Sequence, residues 1–274
     1  MPKTAIIISG DHHINGTVAL CPPRVQLDDG GTFHPSPGQR WLWEGWIDFI
    51  QWARTLSEGY KPIAIYNGDL GELDTKRRSN QIITANKATI LGMITDVLAP
   101  LADWVDAQYF VRGTPAHVGK SSWLEEEVAG DYDNAVHFAK GIHSHYQVRL
   151  TANGKRIEAA HHASMGNLAR TQKNAANTIA YDTMSAYAFE LQQPLPHLVF
   201  RSHNHRWADS WDNYDTRAIC LPCWSMATEY VYRLGKYNGR ADVGGAVVLI
   251  DGGKYEVHKY KLEPRKGNVW AMKA

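Results

Sequence analysis

A short apolar segment followed by an amphipathic helical pattern recurs along the first half of the chain, and this alternation most constrains the fold. The apolar segments are Thr4–Ser9 (TAIIIS), Pro62–Tyr66 (PIAIY) and Gln108–Val111 (QYFV), and apolar residues at helical spacing mark one helix over Trp41–Ser57 and a second ending near Leu101. A continuous β-branched run is typical of a strand buried on both faces. Strands that alternate with helices indicate an α/β sheet.

The second half of the chain contains more β-structure. Asn153-Gly154 lies between two apolar runs, which is the strongest short signal for a hairpin. The spacing also predicts a helix over Thr171–Leu191. The remaining predicted strands are Tyr146–Leu150, Lys155–Ala160, His197–Arg201, Arg217–Leu221, Gly245–Ile250 and Tyr255–Leu262. We predict one domain over residues 1–274, with a surface-loop insertion around 15–40, where glycine and proline are frequent.

Composition excludes several classes of protein. Lys and Arg number 29 against 28 Asp and Glu, a formal charge of +1, which argues against binding nucleic acid through charge alone. No apolar run approaches the roughly 18 residues of a membrane span, and the apolar run near the N-terminus is too short for a signal peptide. Three cysteines are too few for a disulfide framework. We therefore expect a cytoplasmic protein that does not enter a membrane; the sequence leaves its oligomeric state open.

Histidine and aspartate concentrate where the predicted strands end. Five segments carry such residues: Asp11-His12-His13, Gly68-Asp69, Gly113-Thr114-Pro115-Ala116-His117, His161-His162 and His203-Asn204-His205. Residues two apart in extended backbone point the same way, so the pairs Asp11/His13 and His203/His205 can converge on one ion or on two adjacent ions. Imidazole combined with carboxylate suits Zn, Fe, Mn or similar ions. Ligand loops at the C-terminal ends of strands are where α/β sheets place their sites.

The order of these five segments resembles the pattern of the calcineurin-like metallophosphoesterase family, which is D-x-H, G-D, G-N-H-[DE], a lone H and G-H-x-H. The resemblance covers residues 4 to about 226. It implies an α/β fold, a four-layer sandwich of two mixed β-sheets flanked by α-helices. It also implies an enzyme with two divalent or transition-metal ions that hydrolyses a phosphomonoester or a phosphodiester, with nucleotides and nucleic acids among the candidate substrates.

The resemblance also implies a ligand for each ion. Asp11, His13 and His205 would bind the first metal, Asp69 would bridge both, and His161 and His203 would bind the second. In the pair His161-His162, His161 matches the family's ligand, which leaves His162 to contact substrate or to support a ligand.

Two positions depart from the family pattern. Ser202 stands where the family has glycine before His203. In the third motif Thr114 occupies the place of the metal-binding asparagine, and the histidine follows three residues later, at His117. This G-T-x-x-H form resembles phage-like members of the family. Either Thr114 is a weak metal ligand and His117 is the general acid, which is the assignment we favour, or His117 itself reaches the metal.

Other candidate sites have ordinary structural interpretations. Cys220 and Cys223 have redox or zinc spacing but no second pair, and we predict a structural role. We predict that His143-Ser144-His145 is a solvated sheet edge. Trp207, Trp211 and Tyr214 either stack a base or sugar or pack their loop, and Lys76-Arg77-Arg78 either attracts phosphate or is a solvated loop. Two alternatives to a small-molecule phosphoesterase stay open: a nuclease acting on DNA or RNA, and a degenerate metal- or phosphate-binding module without turnover, which Thr114 keeps open.

Overall fold

The computed structural model of the chain describes residues 3–75, 81–163, 171, 174–191, 193–229 and 241–263. The Lys76–Arg78 segment lies outside these residues, as does part of the predicted helix over Thr171–Leu191.

The first sheet has five strands in the order β12-β11-β1-β4-β5. Strand β1 pairs in parallel with β4, and β4 pairs in parallel with β5, whereas β11 runs antiparallel to both β1 and β12. Every residue of β1 is buried, as its continuous β-branched run predicts. The bounds are β1 Thr4–Ser9, β4 Lys61–Asn67, β5 Ala107–Val111, β11 Val243–Asp251 and β12 Lys254–Leu262.

The second sheet also has five strands, in the order β6-β7-β8-β10-β9. Its three central strands are parallel to one another and its two edge strands are antiparallel, so this sheet is mixed like the first. The predicted Asn153-Gly154 hairpin is present, with both residues at positive φ. The bounds are β6 Gln147–Ala152, β7 Lys155–Ala160, β8 Leu198–Arg201, β9 Ala208–Asp209 and β10 Arg217–Cys220.

The helices lie outside the two sheets. They are α1 Pro37–Leu56, α2 Lys87–Ala102, the short α3 Pro115–Val118, α4 Trp123–Gly130 and α5 Ala175–Ser185, which continues into a π-helical segment over Ala186–Leu191. Within the described ranges, no helix combines the length and the apolar character that a membrane span requires.

Three clusters of buried apolar residues separate four layers. The first cluster lies between helices α1, α2 and α4 and one face of the first sheet, and includes Trp46 and Phe110. The second lies between the two sheets and includes Ile6 and Phe200. The third lies between α5 and the outer face of the second sheet. The predicted α/β fold, a sandwich of two mixed sheets flanked by helices, is therefore confirmed.

The segment predicted as a surface loop, 15–40, differs from that expectation in two places. Residues 19–22 are buried, and α1 begins at Pro37 rather than at Trp41. The Ser36 hydroxyl accepts a hydrogen bond from Gln39 N at 3.2 Å, and the Gln39 side chain accepts one from Ser36 N at 3.1 Å. This reciprocal cap, followed by proline in the first turn, starts a helix. The same residues resemble a loop when only glycine and proline are counted. The two short strands β2 Val25–Gln26 and β3 Thr32–Phe33 also lie in this segment.

Candidate metal centre

The predicted ligands follow the C-terminal ends of parallel strands in both sheets. Asn67, at the end of β4, joins the two sheets: its side-chain amide donates to Ala160 O at 3.0 Å and to Ser202 Oγ at 2.8 Å. The strand ends that carry Asp11 and Asp69 therefore lie beside those that carry His161 and His203. The sequence predicts this meeting because parallel strands of an α/β sheet present their C-terminal loops at one edge.

Asp11, His13 and His205 form one group, called here the first cluster. Asp11 Oδ1 lies 3.3 Å from His205 Nε2 and 3.7 Å from His13 Nε2, and the two Nε2 atoms are 3.1 Å apart. Ligand atoms around an ion at about 2.1 Å are roughly 3.0–3.4 Å apart in octahedral or tetrahedral geometry. Two of the three distances fall within this range and the third exceeds it by 0.3 Å, so the three ligand atoms can surround a single ion.

His161, His162 and His203 form the second cluster. The Thr114 hydroxyl oxygen lies among them, 3.3 Å from His161 Nε2, 3.4 Å from His162 Nε2 and 3.3 Å from His203 Nδ1. Sequence reasoning left His162 without a ligand role, but the structure places its ring with the other two. The pattern of motifs gave no sign of this, because His162 follows a strand end where the family residue is variable.

Asp69 lies within reach of both Asp11 and His161. Its Oδ2 is 3.0 Å from His161 Nε2, and its Oδ1 accepts a hydrogen bond from Thr114 N at 2.5 Å. Thr114 thus contributes its backbone to Asp69 and its hydroxyl to the second cluster.

Two glycines make these approaches possible. A Cβ at Gly68, whose φ is +84°, would lie 2.6 Å from Cγ of the His161 ring, and a Cβ at Gly113 would overlap Asp69. Glycine tolerates both the positive φ and the close packing. The departure at Ser202 has a matching explanation: its hydroxyl fills the space beside Gly10, where a Cβ would meet Ser202 Oγ at 2.5 Å. The side chain that the family lacks at this position fits because Gly10 lies opposite.

Hydrogen bonds fix which nitrogen of two histidines is free. His161 Nδ1 donates to Asn67 O at 2.8 Å, and His13 Nδ1 donates to Glu72 Oε1 at 2.8 Å. Each Nδ1 therefore carries a proton, and each Nε2 is the nitrogen that faces its cluster. This arrangement, in which a carbonyl or carboxylate orients the imidazole, is typical of metal-binding histidines.

Glu72 is a functional candidate that the motifs did not predict. Besides His13, it accepts a hydrogen bond at 2.7 Å from His117 Nδ1. His117 lies beside the first cluster, with its ring centroid 4.8 Å from that of His13 and its side chain 34% exposed. The only signal in the sequence is an acidic residue three positions after Asp69, which is too common to stand out.

Buried carboxylate oxygens provide the test of whether metal fits. Asp11 Oδ1 and Asp69 Oδ2 are buried, and the groups that face them are imidazole nitrogens: His205 Nε2 lies 3.3 Å from Asp11 Oδ1, and His161 Nε2 lies 3.0 Å from Asp69 Oδ2. Burying two carboxylates among imidazoles costs free energy that a bound cation would recover. Both oxygens point to the places where imidazole nitrogens converge, so the residues fit divalent ions.

The charge balance agrees with this test. Burial alone would raise the pKa of Asp11, but the charge of His205 and its hydrogen bond outweigh burial and lower that pKa to about 2. The pKa of Asp69 is also lowered: burial opposes this, and His161 outweighs it. Burial, followed by the charge of His161, lowers the pKa of His162 and of His203. Burial lowers the pKa of His161, but the charge of Asp69 outweighs it and raises that pKa to about 9. In the metal-free chain the carboxylates are therefore ionised and His161 holds a proton that a bound cation would displace.

The remaining predicted candidates lie elsewhere. His145 is buried, and its Nε2 donates to Val136 O at 2.6 Å, while His143 N donates to Glu126 Oε1 at 2.7 Å. The prediction of a solvated edge was therefore wrong for His145. The structure assigns neither histidine to a metal cluster among the described residues. Cys220 and Cys223 are buried and free, and Trp211 is exposed, with Arg217 over its ring at 4.7 Å.

No protein-family profile matches the chain, and no curated protein matches it by sequence. Similar solved structures include Vps29 from Entamoeba histolytica complexed with Zn²⁺, which is 9% identical with a TM-score of 0.42 over 94% of this chain and 99% of that one. Vps29 from Chaetomium thermophilum is 12% identical, with a TM-score of 0.42 over 97% and 100%. The protein of unknown function AQ665 from Aquifex aeolicus is 12% identical, with a TM-score of 0.36 over 80% and 89%. These values are too low to transfer an activity or a ligand to this chain.

Proposed function

We propose that this protein is a metal-dependent hydrolase of phosphate esters with a dinuclear metal centre, and that it is a phage-like member of the calcineurin-like family. The observation that carries the proposal is the pair of buried carboxylates of Asp11 and Asp69, each facing a cluster of imidazoles. A single buried carboxylate is often part of an ion pair. Two of them beside two histidine clusters form a site with room for two cations.

In this proposal the first cluster binds one ion and the second cluster binds the other. Asp69 is the ligand that they share. Within the second cluster, His162 supplies the donor that the family takes from asparagine, because imidazole is a better ligand than the Thr114 hydroxyl for ions of this kind. Mn, Fe and Zn are all compatible with a donor set of imidazoles and carboxylates.

Bound divalent ions would polarise the phosphoryl oxygens and lower the pKa of a coordinated water to about 7. The chain itself supplies the proton for the leaving group. His117 is accessible at the edge of the first cluster, and Glu72 holds its Nδ1, so its Nε2 is available to donate to the leaving oxygen. Burial lowers the pKa of His117, but the hydrogen bond to Glu72 and the charges of Asp69 and Glu72 raise it above its ordinary value. This favours the acid assignment over the ligand assignment.

The non-catalytic alternative rests on Thr114. If the second cluster binds its ion weakly, the protein holds metal or phosphate without turnover. The proposed role of His162 answers this objection, since a third imidazole restores the donor count. For the substrate we propose a small phosphate ester in the cytoplasm, with a nuclease as the alternative within the same chemistry.

The experiment that tests the proposal counts metal and measures hydrolysis on the same protein. Elemental analysis should find about two transition-metal ions per chain, and a chelator should abolish hydrolysis of p-nitrophenyl phosphate or bis-(p-nitrophenyl) phosphate. Asp69→Asn should lose at least one ion together with activity, whereas Asp131→Asn, a change at an exposed aspartate, should lose neither. Full metal content and full activity in Asp69→Asn would show that the ligand assignment is wrong. Metal bound without any hydrolysis would support the binding module.

A further inference from the structure

A cavity of about 300 Å³ adjoins the second cluster on the outer face of the second sheet. Its floor is formed by side chains of β6, β7 and β8, and one wall by α5 and the π-helical segment that follows. His162 belongs both to this cavity and to the second cluster. A ligand held at the metal centre can therefore extend into the cavity past His162.

The strand alternation explains why the floor is charged. Residues of β6, β7 and β8 that point towards the first sheet are apolar, such as Val148, Ile157 and Phe200. Their neighbours along each strand point to the opposite face. Arg149, Glu158 and Arg201 occupy those positions, and all three line the cavity.

Glu158 is neutralised from within the cavity floor. Its side chain is only 2% exposed, and it accepts hydrogen bonds from Arg201 Nη2 at 2.6 Å and from the Tyr187 hydroxyl at 2.5 Å. Both carboxylate oxygens thus have a strong donor. A second cation is not needed to satisfy this carboxylate.

Arg149 and Arg201 carry two positive charges against the single negative charge of Glu158, so one positive charge is in surplus. Arg149 Nε forms an ion pair with Glu158 Oε2 at 3.4 Å, but the guanidinium makes no hydrogen bond to any described residue. The group rests over the Tyr187 ring at 5.4 Å, and its side chain is 42% exposed. A planar guanidinium held in this way presents free donors that match the oxygens of a phosphate. Asp182 is the competing negative charge, but it is exposed to water on the helix side of the opening, where its field is screened.

We propose that this cavity binds a second phosphate group of the substrate, so that the preferred substrate is a small ester with one phosphate at the metal centre and another on Arg149 and Arg201. This inference rests on the proposed phosphoesterase function and narrows its substrate class. The volume suits one nucleotide-sized group, at the lower end of small-molecule pockets. It favours a small bisphosphate over a nucleic-acid strand.

The test uses binding rather than turnover. Isothermal titration calorimetry on the metal-loaded full-length protein compares non-hydrolysable methylenephosphonate analogues of adenosine 3′,5′-bisphosphate and of adenosine 5′-monophosphate, so that hydrolysis does not consume either ligand. The wild-type protein should bind the bisphosphate at least about tenfold more tightly, the gain typical of one charged hydrogen bond. Arg149→Met, which keeps an unbranched side chain but removes its charge, should remove that preference. Arg54→Met, at an exposed arginine on α1, should leave it unchanged.

Equal affinity for the two adenosine phosphates in the wild-type protein would overturn the proposal, and so would a preference that survives in Arg149→Met. Tighter binding of a single-stranded oligonucleotide than of the bisphosphate would replace the small ester with nucleic acid and overturn it as well. If the bisphosphate preference is present but no ester is hydrolysed with Mn, Zn or Fe, the cavity assignment stands and the phosphoesterase function fails. If esters are hydrolysed but the bisphosphate is not preferred, the phosphoesterase function stands and the cavity assignment fails.

Discussion

Replacing Glu72 with glutamine should weaken metal binding and slow catalysis through two separate contacts. Glu72 Oε1 accepts one hydrogen bond from His13, a predicted ligand, and another from His117, the proposed acid. A glutamine keeps the shape of the side chain but removes its negative charge. Its amide can also present nitrogen instead of oxygen to one of the two imidazoles.

The size of each effect can be estimated from these contacts. Removing a carboxylate that orients a ligating histidine typically costs about 10–100-fold in metal affinity, or roughly 1.4–2.7 kcal/mol. This loss acts through His13 and should affect one ion. A saturating metal concentration compensates for the lower metal affinity that the change causes through His13. The loss of the carboxylate that holds His117 remains, so we expect kcat to stay about tenfold or more below that of wild-type protein.

The assay therefore combines a metal titration with steady-state kinetics at saturating metal. Glu58→Gln, at an exposed glutamate after α1, is the control and should match wild-type protein in both measurements. A Glu72→Gln variant with wild-type metal affinity would show that His13 does not bind metal through the nitrogen that Glu72 leaves free. A kcat that returns to the wild-type value once metal is saturating would show that Glu72 does not support His117 as the general acid.

Three further predictions concern neighbouring residues. His117→Ala should keep both ions and lose roughly 10²–10⁴-fold in rate. The loss should be smaller for p-nitrophenyl esters, because their leaving group needs little protonation. If elemental analysis instead shows that one ion is lost, His117 is a metal ligand. Gly68→Ala should destabilise the protein and lower its metal content, because Gly68 has a positive φ and the new methyl group would collide with the His161 ring. Gly59→Ala has a similar φ of +81° but nothing within 4 Å of the new methyl group, so it should cost about 1 kcal/mol in urea unfolding and leave metal content unchanged. Equal behaviour of the two variants would contradict the steric argument. Burial, reinforced by the charge of a nearby aspartate, raises the pKa of Glu125 to about 8 from its ordinary 4.5, so its contribution to stability is present at low pH and is lost as the pH rises towards 8. The unfolding free energy of chelator-treated protein should fall by roughly 2–4 kcal/mol over that interval; Glu125→Gln should flatten the profile and Glu127→Gln, at an exposed neighbour, should not.

The sequence predicts the strands and the residues that follow them better than it predicts how the site is completed. Asp11 and Asp69 are predictable because a buried strand has a clear pattern and its C-terminal end has a known place in the sheet. His162 and Glu72 are not, because each acquires its role from residues that lie far away in the sequence. Glu72, for example, is hydrogen-bonded to His13, which is 59 positions away in the sequence, and to His117, which is 45 positions away. The start of α1 was missed for a local reason: the reciprocal cap at Ser36 is a matter of side-chain geometry, which counting glycines and prolines does not capture.

The backbone of the site carries a cost of its own. Of the ten non-glycine residues with positive φ in the described ranges, five are predicted ligands: Asp11, His13, Asp69, His203 and His205. Each such residue costs of order 1–3 kcal/mol, and glycine would be relaxed there. Asp11 and Asp69 offset this cost because they accept buried hydrogen bonds from His203 N and Thr114 N. The His203 side chain is exposed and makes one long hydrogen-bond contact, at 3.3 Å to the Thr114 hydroxyl. Glycine at His203 should therefore stabilise the metal-free chain while it deletes a ligand, so that resistance to heat and ability to bind metal are in direct opposition there. A laboratory selection for thermostability alone, carried out without metal, should favour glycine at this position and erase part of the site while it keeps the fold.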